Sequence, residues 1–141
     1  MTKKLINPPN LAPPRGFNHA IAASGQFLFL AGQDASDVTG SIVAPDDVVT
    51  QYEQILRNLY VIMEHAGGTM QDIVKLNIFV RDRDEYLARR HELKEVHRAY
   101  FGDYYPTMAL FEVNAFYHDE ALIEVEGIAV LEDKVPPDAN P

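Results

Sequence analysis

The sequence has no cysteine. That excludes a disulfide framework, a cysteine nucleophile and thiolate metal sites. Basic residues are scarce: 12 Lys and Arg stand against 21 Asp and Glu, giving a formal net charge of −9 at pH 7. Phosphate backbones reward clustered Lys and Arg, so nucleic acid is not an expected partner. The main basic concentration is Arg81, Arg83, Arg89, Arg90, Lys94 and Arg98. Asp82, Asp84, Glu85, Glu92 and Glu95 are interleaved with it, and the stretch reads as a solvated helix face. No apolar run approaches transmembrane length. The first residues, Met1-Thr2-Lys3-Lys4-Leu5-Ile6-Asn7, lack the apolar centre of a secretory signal. A cytoplasmic protein without a membrane partner is the expectation. Repeats are absent, and so is a phosphate-binding glycine loop, because Gly67-Gly68 follows a helix instead of opening one. His19, His65, His91, His97 and His118 lack zinc-site spacing, with His91 and His97 on different helix faces. Ser24 and Thr107 lack a base and orienting group.

What is present suits one domain. The chain has 141 residues and 47% hydrophobic content. Residues 1–14 are proline-rich and read as an extended arm. His19 to Ser24 and Phe27 to Ala31 read as two strands around Gly25-Gln26, a hairpin candidate. Gly32 to Ala44 reads as a loop. Val48, Tyr52, Ile55, Leu59, Ile62 and Ala66 recur at steps of four and three, predicting a helix from about Asp46 to Ala66. Gly67-Gly68 permits its left-handed end. Ile73 to Val80 is a strand. A second helix is predicted from about Arg83 to Phe101, with Asp82 and Glu85 at capping-box spacing and Tyr86, Leu93, Val96 and Tyr100 buried. Phe27, Phe29, Tyr52, Phe79 and Tyr100 have core spacing. Residues 132–141 read as a flexible tail.

Two late strands carry carboxylates. Side chains alternate along a strand, so Met108, Leu110 and Glu112 share one face, and Leu122, Glu124, Glu126, Ile128 and Val130 share one face of the next strand. The opposite faces, Ala109/Phe111/Val113 and Ile123/Val125/Ala129/Leu131, are apolar and suit a helix-covered core. The mixed faces are too apolar for open water and too charged for a dry core. They suit an oligomer that encloses polar pockets.

The order of elements, Gly32-Gln33 after the second strand, the helix end Ala66-Gly67-Gly68, the segment Asp72-Ile73-Val74-Lys75, the Pro106 strand and the Glu124-Val125-Glu126 strand together resemble the RidA (YjgF/Rid) superfamily. That superfamily has also carried the label endoribonuclease L-PSP. The match spans residues 15–131. It implies a chorismate-mutase-like α+β domain, a mixed sheet with two helices on one face. It also implies a homotrimer with small-molecule pockets at its subunit interfaces, and no cofactor. Well-understood members hydrolyse 2-imino or 2-enamino acids to 2-oxo acids and ammonia. An arginine after the proline holds the carboxylate, and a glutamate on the last strand helps place water. Here the arginine position is Met108, within Pro106-Thr107-Met108-Ala109, and the glutamate position is Glu124. Gly16-Phe17-Asn18 replaces a Gly-Pro-Tyr entry motif, so Asn18 stands for the pocket tyrosine. Ala31, before Gly32, stands for a Ser or Thr. Arg15, Phe17 and His19 complete the expected pocket mouth.

Arginine grips a carboxylate through paired charge-assisted hydrogen bonds, about 1.5–3 kcal/mol each; methionine offers none. Arg15, His19, Lys75 and His118 are the cations that can take its place. Glu124 without an arginine beside it is expected to have a raised pKa, suiting acid/base work on a metabolite. Glu112 and Glu126 read as structural. Three readings follow. One is a hydrolase of a reactive imine or enamine with Glu124 as acid/base. The second is a binding or regulatory module that keeps the pockets without the chemistry. The third, RNA cleavage, is opposed by the charge. On the first two readings, Met108→Arg is expected to create a carboxylate site opposite Glu124. The charge balance also yields a direct prediction: labelled RNA at physiological salt should show no mobility shift with micromolar protein, and a salt-sensitive shift would overturn it.

Overall fold

The structure, a computed structural model, describes residues 3–132. Ile73–Val80 forms β4, and its alternation places Leu76, Ile78 and Val80 in the core. Around it lie β3 (Gln26–Gln33), β6 (Ile123–Leu131) and β5 (Thr107–Glu112), in the sheet order β3-β6-β4-β5. β6 runs antiparallel to both β3 and β4, whereas β5 runs parallel to β4. The sheet is mixed and the fold is α+β.

Helices cover one face. α1 (Val48–Ala66) starts on Asp47, whose carboxylate accepts from the Val49 and Thr50 amides. It ends at Gly67, where φ is 82°, a conformation that favours glycine. Val48, Tyr52, Ile55 and Leu59 are buried as the periodicity requires. Leu56 and Met63 are also fully buried, while Ile62 and Ala66 are only partly covered. The predicted second helix is two: α2 (Arg83–Ala88) and α3 (Arg90–Phe101). Arg89 leaves helical geometry at φ −103° and ψ 14°. Its guanidinium there meets both Glu92 and Asp47, fastening the break to the start of α1. Asp82 caps α2 through the Glu85 amide at 3.1 Å, and Glu112 accepts from the Arg83 amide at 2.9 Å. Sequence spacing showed the cap but not the break, which depends on these distant carboxylates.

The predicted hairpin does not form. β2 (Ala20–Ala22) pairs with β1 (Lys4–Ile6) from the arm, not with β3. Gly25 has φ 144°, and a Cβ there would sit 2.0 Å from the Leu131 carbonyl oxygen. The chain therefore turns against the end of β6 at that point. The tail reading falls on 133–141, outside the described residues.

The two faces of β5 are the reverse of the sequence expectation. β4 and β5 pair Leu76 with Met108, Ile78 with Leu110 and Val80 with Glu112. Paired residues share a face, so Met108, Leu110 and Glu112 turn toward the helices. Asn77 pairs with Ala109 and Phe79 with Phe111, which places Ala109 and Phe111 on the open face. The β6 expectation holds: Ile123, Val125, Ala129 and Leu131 are buried, and Glu124 and Glu126 face the other way. Phe27 (61% exposed), Phe29 (73%) and Phe111 (48%) lie on the open face with Ile128 and Val130. Phe79, paired with Phe111 and Glu124, shares that face, so the core reading of Phe27, Phe29 and Phe79 is corrected.

One buried polar residue, unremarked in the sequence, ties the layers together. Gln51 is fully buried; its amide nitrogen donates to the carbonyls of Ala44 (3.1 Å) and Glu120 (2.9 Å), and its oxygen accepts from the Leu122 amide at 2.8 Å. Gln51→Leu keeps the volume and strands three backbone groups, each costing about 1–3 kcal/mol when left unpaired. Urea unfolding should show a loss of at least about 2 kcal/mol, and an unchanged midpoint would refute this role.

Candidate functional site

The inversion of β5 decides where the expected site residues meet. Met108, on the helix side, forms part of a cavity of about 380 Å³. Tyr52 from α1, Tyr86 from α2 and Leu93 from α3 form its other apolar and aromatic walls. Arg15 and Gly16 close it from the segment before β2, and Tyr105 from the approach to β5. α3 contributes Arg90, His91, Lys94 and His97. Among the described residues lining this cavity none is acidic. A smaller adjoining cavity shares Gly16, Tyr86 and Met108 and adds Phe17 and Leu110.

Local contacts explain these positions. Arg90, Lys94 and His97 are four and three residues apart, one stripe of a helix. The stretch read as a solvated helix face thus turns part of its charge onto the cavity. Its 90-94-97 spacing was the available signal, masked by the intervening glutamates. His91 lines the same cavity, so the two histidines placed on separate faces both border it. The His97 ring stacks between Phe101 (4.4 Å, 12°) and Tyr105 (4.3 Å, 6°). Its Nε2 lies 2.9 Å from the Tyr104 carbonyl. A carbonyl only accepts, so Nε2 carries a proton. Burial lowers the pKa of His97, against the bond to Tyr104, and keeps the ring neutral. Burial raises the pKa of both Tyr52 and Tyr86, leaving their hydroxyls protonated near neutrality.

Asn18 and His19 support the cavity instead of lining it. The Asn18 side chain donates to the Tyr105 carbonyl at 2.5 Å and accepts from Asn7 at 2.8 Å. The Asn18 amide donates to the Pro106 carbonyl at 3.1 Å. The His19 amide donates to Asn7 at 2.8 Å, and its Nε2 lies 2.8 Å from the Ala12 carbonyl. Asn18 fastens the arm to the approach of β5, and His19 ties the arm to the segment before β2. His118 lies in the loop before β6, edge-on to Tyr117. Of the four proposed substitutes for the missing arginine, Arg15 alone reaches the cavity.

Glu124 lies on the other side of the sheet, paired with Phe79. The register of β3 against β6 shifts between Leu30 and Gln33, at Ala31 and Gly32. A Cβ on Gly32 would stand 2.2 Å from Glu124 Oε1, so glycine is what lets the carboxylate rest there. Burial raises the Glu124 pKa first, followed by the negative charges of Asp34 and Glu126. Lys75 and Asn77 share this face, and Asn77 donates to Glu126 at 3.3 Å. Within one chain, then, Met108 and Glu124 are not brought together. Met108→Arg would add a guanidinium beside Arg15, not opposite Glu124. Among the described residues no cluster of His, Asp and Glu suits a metal ion, and no helix is long and apolar enough to cross a membrane.

The Glu124 environment has a testable sign. The folded chain favours the protonated carboxyl, so as pH rises from the unfolded value through the raised folded value, stability is lost. Carbon-13 titration should place the Glu124 midpoint above the ordinary glutamate range, and Glu124→Gln should flatten that stretch of the stability profile. A normal midpoint would remove the argument.

Comparison with known proteins agrees with this architecture. The sequence model of the family described as endoribonuclease L-PSP matches residues 9–131. A RutC family protein of Pyrococcus horikoshii is 34% identical over 131 residues, covering 92% of this chain and 99% of that one. A 2-iminobutanoate/2-iminopropanoate deaminase of Dermatophagoides farinae is 27% identical, covering 92% and 98%. The crystal structure of a Rid family protein of unknown function from Yersinia pestis superposes with a TM-score of 0.83 at 32% identity, covering 93% of this chain and 100% of that one.

Proposed function

This chain belongs to the endoribonuclease L-PSP family of Rid proteins, and from that premise we propose that it is a homotrimer that binds a small anionic metabolite in the helix-side cavity. One observation carries the reading: Arg15 and Met108 line one cavity whose described lining residues include no acidic side chain. The strand offers methionine at the position where the resemblance places arginine, and the segment before β2 supplies the guanidinium. The trimer is supported by the open sheet face, where Phe27, Phe29 and Phe111 stand exposed. An apolar surface of that kind favours a covered interface.

A carboxylate held by one arginine gains about 1.5–3 kcal/mol per charge-assisted bond. Loss of one such bond corresponds to roughly ten- to hundredfold in affinity. Calorimetric titration with 2-oxobutyrate, a stable carboxylate, should therefore show binding that weakens at least tenfold in Arg15→Ala. Binding unaffected by that substitution would exclude Arg15 as the anchor. Light scattering should report about three times the chain mass, and a stable monomer at micromolar concentration would overturn the trimer.

Deamination of an imine or enamine is the second reading. It is favoured by the raised pKa of Glu124 against Gly32 and by the activity named for the mite relative. On this reading Glu124 works on the open face, in a pocket completed by another copy, and water attacks the imine carbon with release of ammonia. An amino-acid oxidase would generate the imine while 2-oxo acid release is timed. Glu124→Gln should abolish any acceleration, and Met108→Arg should not restore it. Acceleration that survives Glu124→Gln would discard this reading and leave the binding reading untouched.

A further inference from the structure

We propose that the helix-side cavity selects a small dicarboxylate, with one carboxylate on Arg15 and the other on α3 through Lys94 and Arg90. The inference rests on the anion-binding reading above and narrows its ligand. It starts from a charge count. Arg15, Arg90 and Lys94 all line one cavity and none of the described lining residues is acidic, in a chain with 21 acidic and 12 basic residues. One carboxylate neutralises one of those three positive charges and leaves two on the same cavity lining. Like charges sharing a site repel, and a second anionic group on the ligand relieves that repulsion.

The placement of the charges favours two separated carboxylates over one phosphate. Arg15 comes from the loop before β2, whereas Arg90 and Lys94 lie one turn apart on α3. Arg90 spends one donor on the Leu87 carbonyl, at 2.9 Å, and keeps the rest of its fork. Neither Arg15 nor Lys94 forms an ion pair with a described residue, in contrast to Arg57, Arg83 and Arg89 of the same chain. Leu93 and Met108 line the same cavity as the charged groups, side chains suited to methylene groups and to nothing charged. The volume, about 380 Å³, equals roughly a dozen waters at about 30 Å³ each and exceeds what a four-carbon monoacid fills. Met108 then has a positive role: an arginine there would add a fourth positive charge in the stretch where the carbon chain lies.

Isothermal titration of the full chain at low ionic strength tests this with three probes: 2-oxoglutarate, 2-oxobutyrate and glycerol 3-phosphate. The dicarboxylate should bind at least tenfold more tightly than either of the others. Lys94→Gln should cut 2-oxoglutarate binding about tenfold and leave 2-oxobutyrate within threefold; Arg15→Gln should weaken both. Both side chains are exposed, so the variants should melt like the parent, which separates lost binding from lost folding. Equal affinity for the mono- and dicarboxylate, or equal losses in Lys94→Gln, would overturn the proposal while sparing anion binding at Arg15. Tighter binding of the phosphate would overturn the dicarboxylate assignment. Failure of all three probes to bind would overturn this proposal and the anion-binding reading together.

Discussion

The parallel pairing of β4 with β5 is the constraint on which the rest of the molecule depends. Leu76 opposite Met108 sets which side of the sheet each β5 side chain faces. Shifted by one residue, the pairing would turn Met108 toward Glu124 and Phe111 into the helices. In the observed register Met108 lines one cavity with Tyr52, Tyr86 and Leu93, and Glu112 reaches the first amide of α2. The sheet thus separates two chemistries: a cation-lined cavity beneath the helices, and a carboxylate with a raised pKa on the open face.

The electrostatics show the same division. Across the whole chain acid outweighs base, yet α3 aims Arg90 and Lys94 at the cavity while Glu92 turns to Arg89. Arg89 in turn reaches Asp47, so the residue that interrupts the helix also joins it to α1. Interleaved charges that look self-neutralising along the sequence are sorted in space by the helical repeat. That sorting is how an acidic protein keeps a local cluster of cations without a basic surface.

Much of the fold was legible from pattern. The stripe of α1, the alternation of β4 and the buried set of β6 each carry a period that matches their surroundings. β5 was misread because it is an edge strand with apolar residues on both faces: Met108 and Leu110 on one, Ala109 and Phe111 on the other. Alternation cannot rank two apolar faces; only the partner strand does. β2 was misassigned because three residues do not specify their partner, and the arm contributes it. The break at Arg89 depends on Asp47, some forty positions away. For the site, Arg15 and Gly32 could be named in advance, whereas Gln51 and His97 could not. Their roles come from carbonyls and rings that proximity in the fold supplies. Asn18 lies in the neighbourhood the sequence indicates, and its bond to the Tyr105 carbonyl is one that spacing along the chain does not reveal.

The short loop between α3 and β5 is gripped from several directions. The Tyr104 hydroxyl donates to the Ile73 carbonyl, Lys3 sits 3.7 Å from the centre of the Tyr104 ring, and Asn18 holds the Tyr105 carbonyl. Two of these grips reach back to the arm, because Asn18 is itself held by Asn7. The arm is therefore a clasp on the cavity wall at Tyr105. A protease that clips after Asn7 would leave the hydrophobic core intact and still loosen that wall. For anyone preparing the protein, trimming at the amino end and the choice of which terminus carries a purification tag become variables of the cavity's shape.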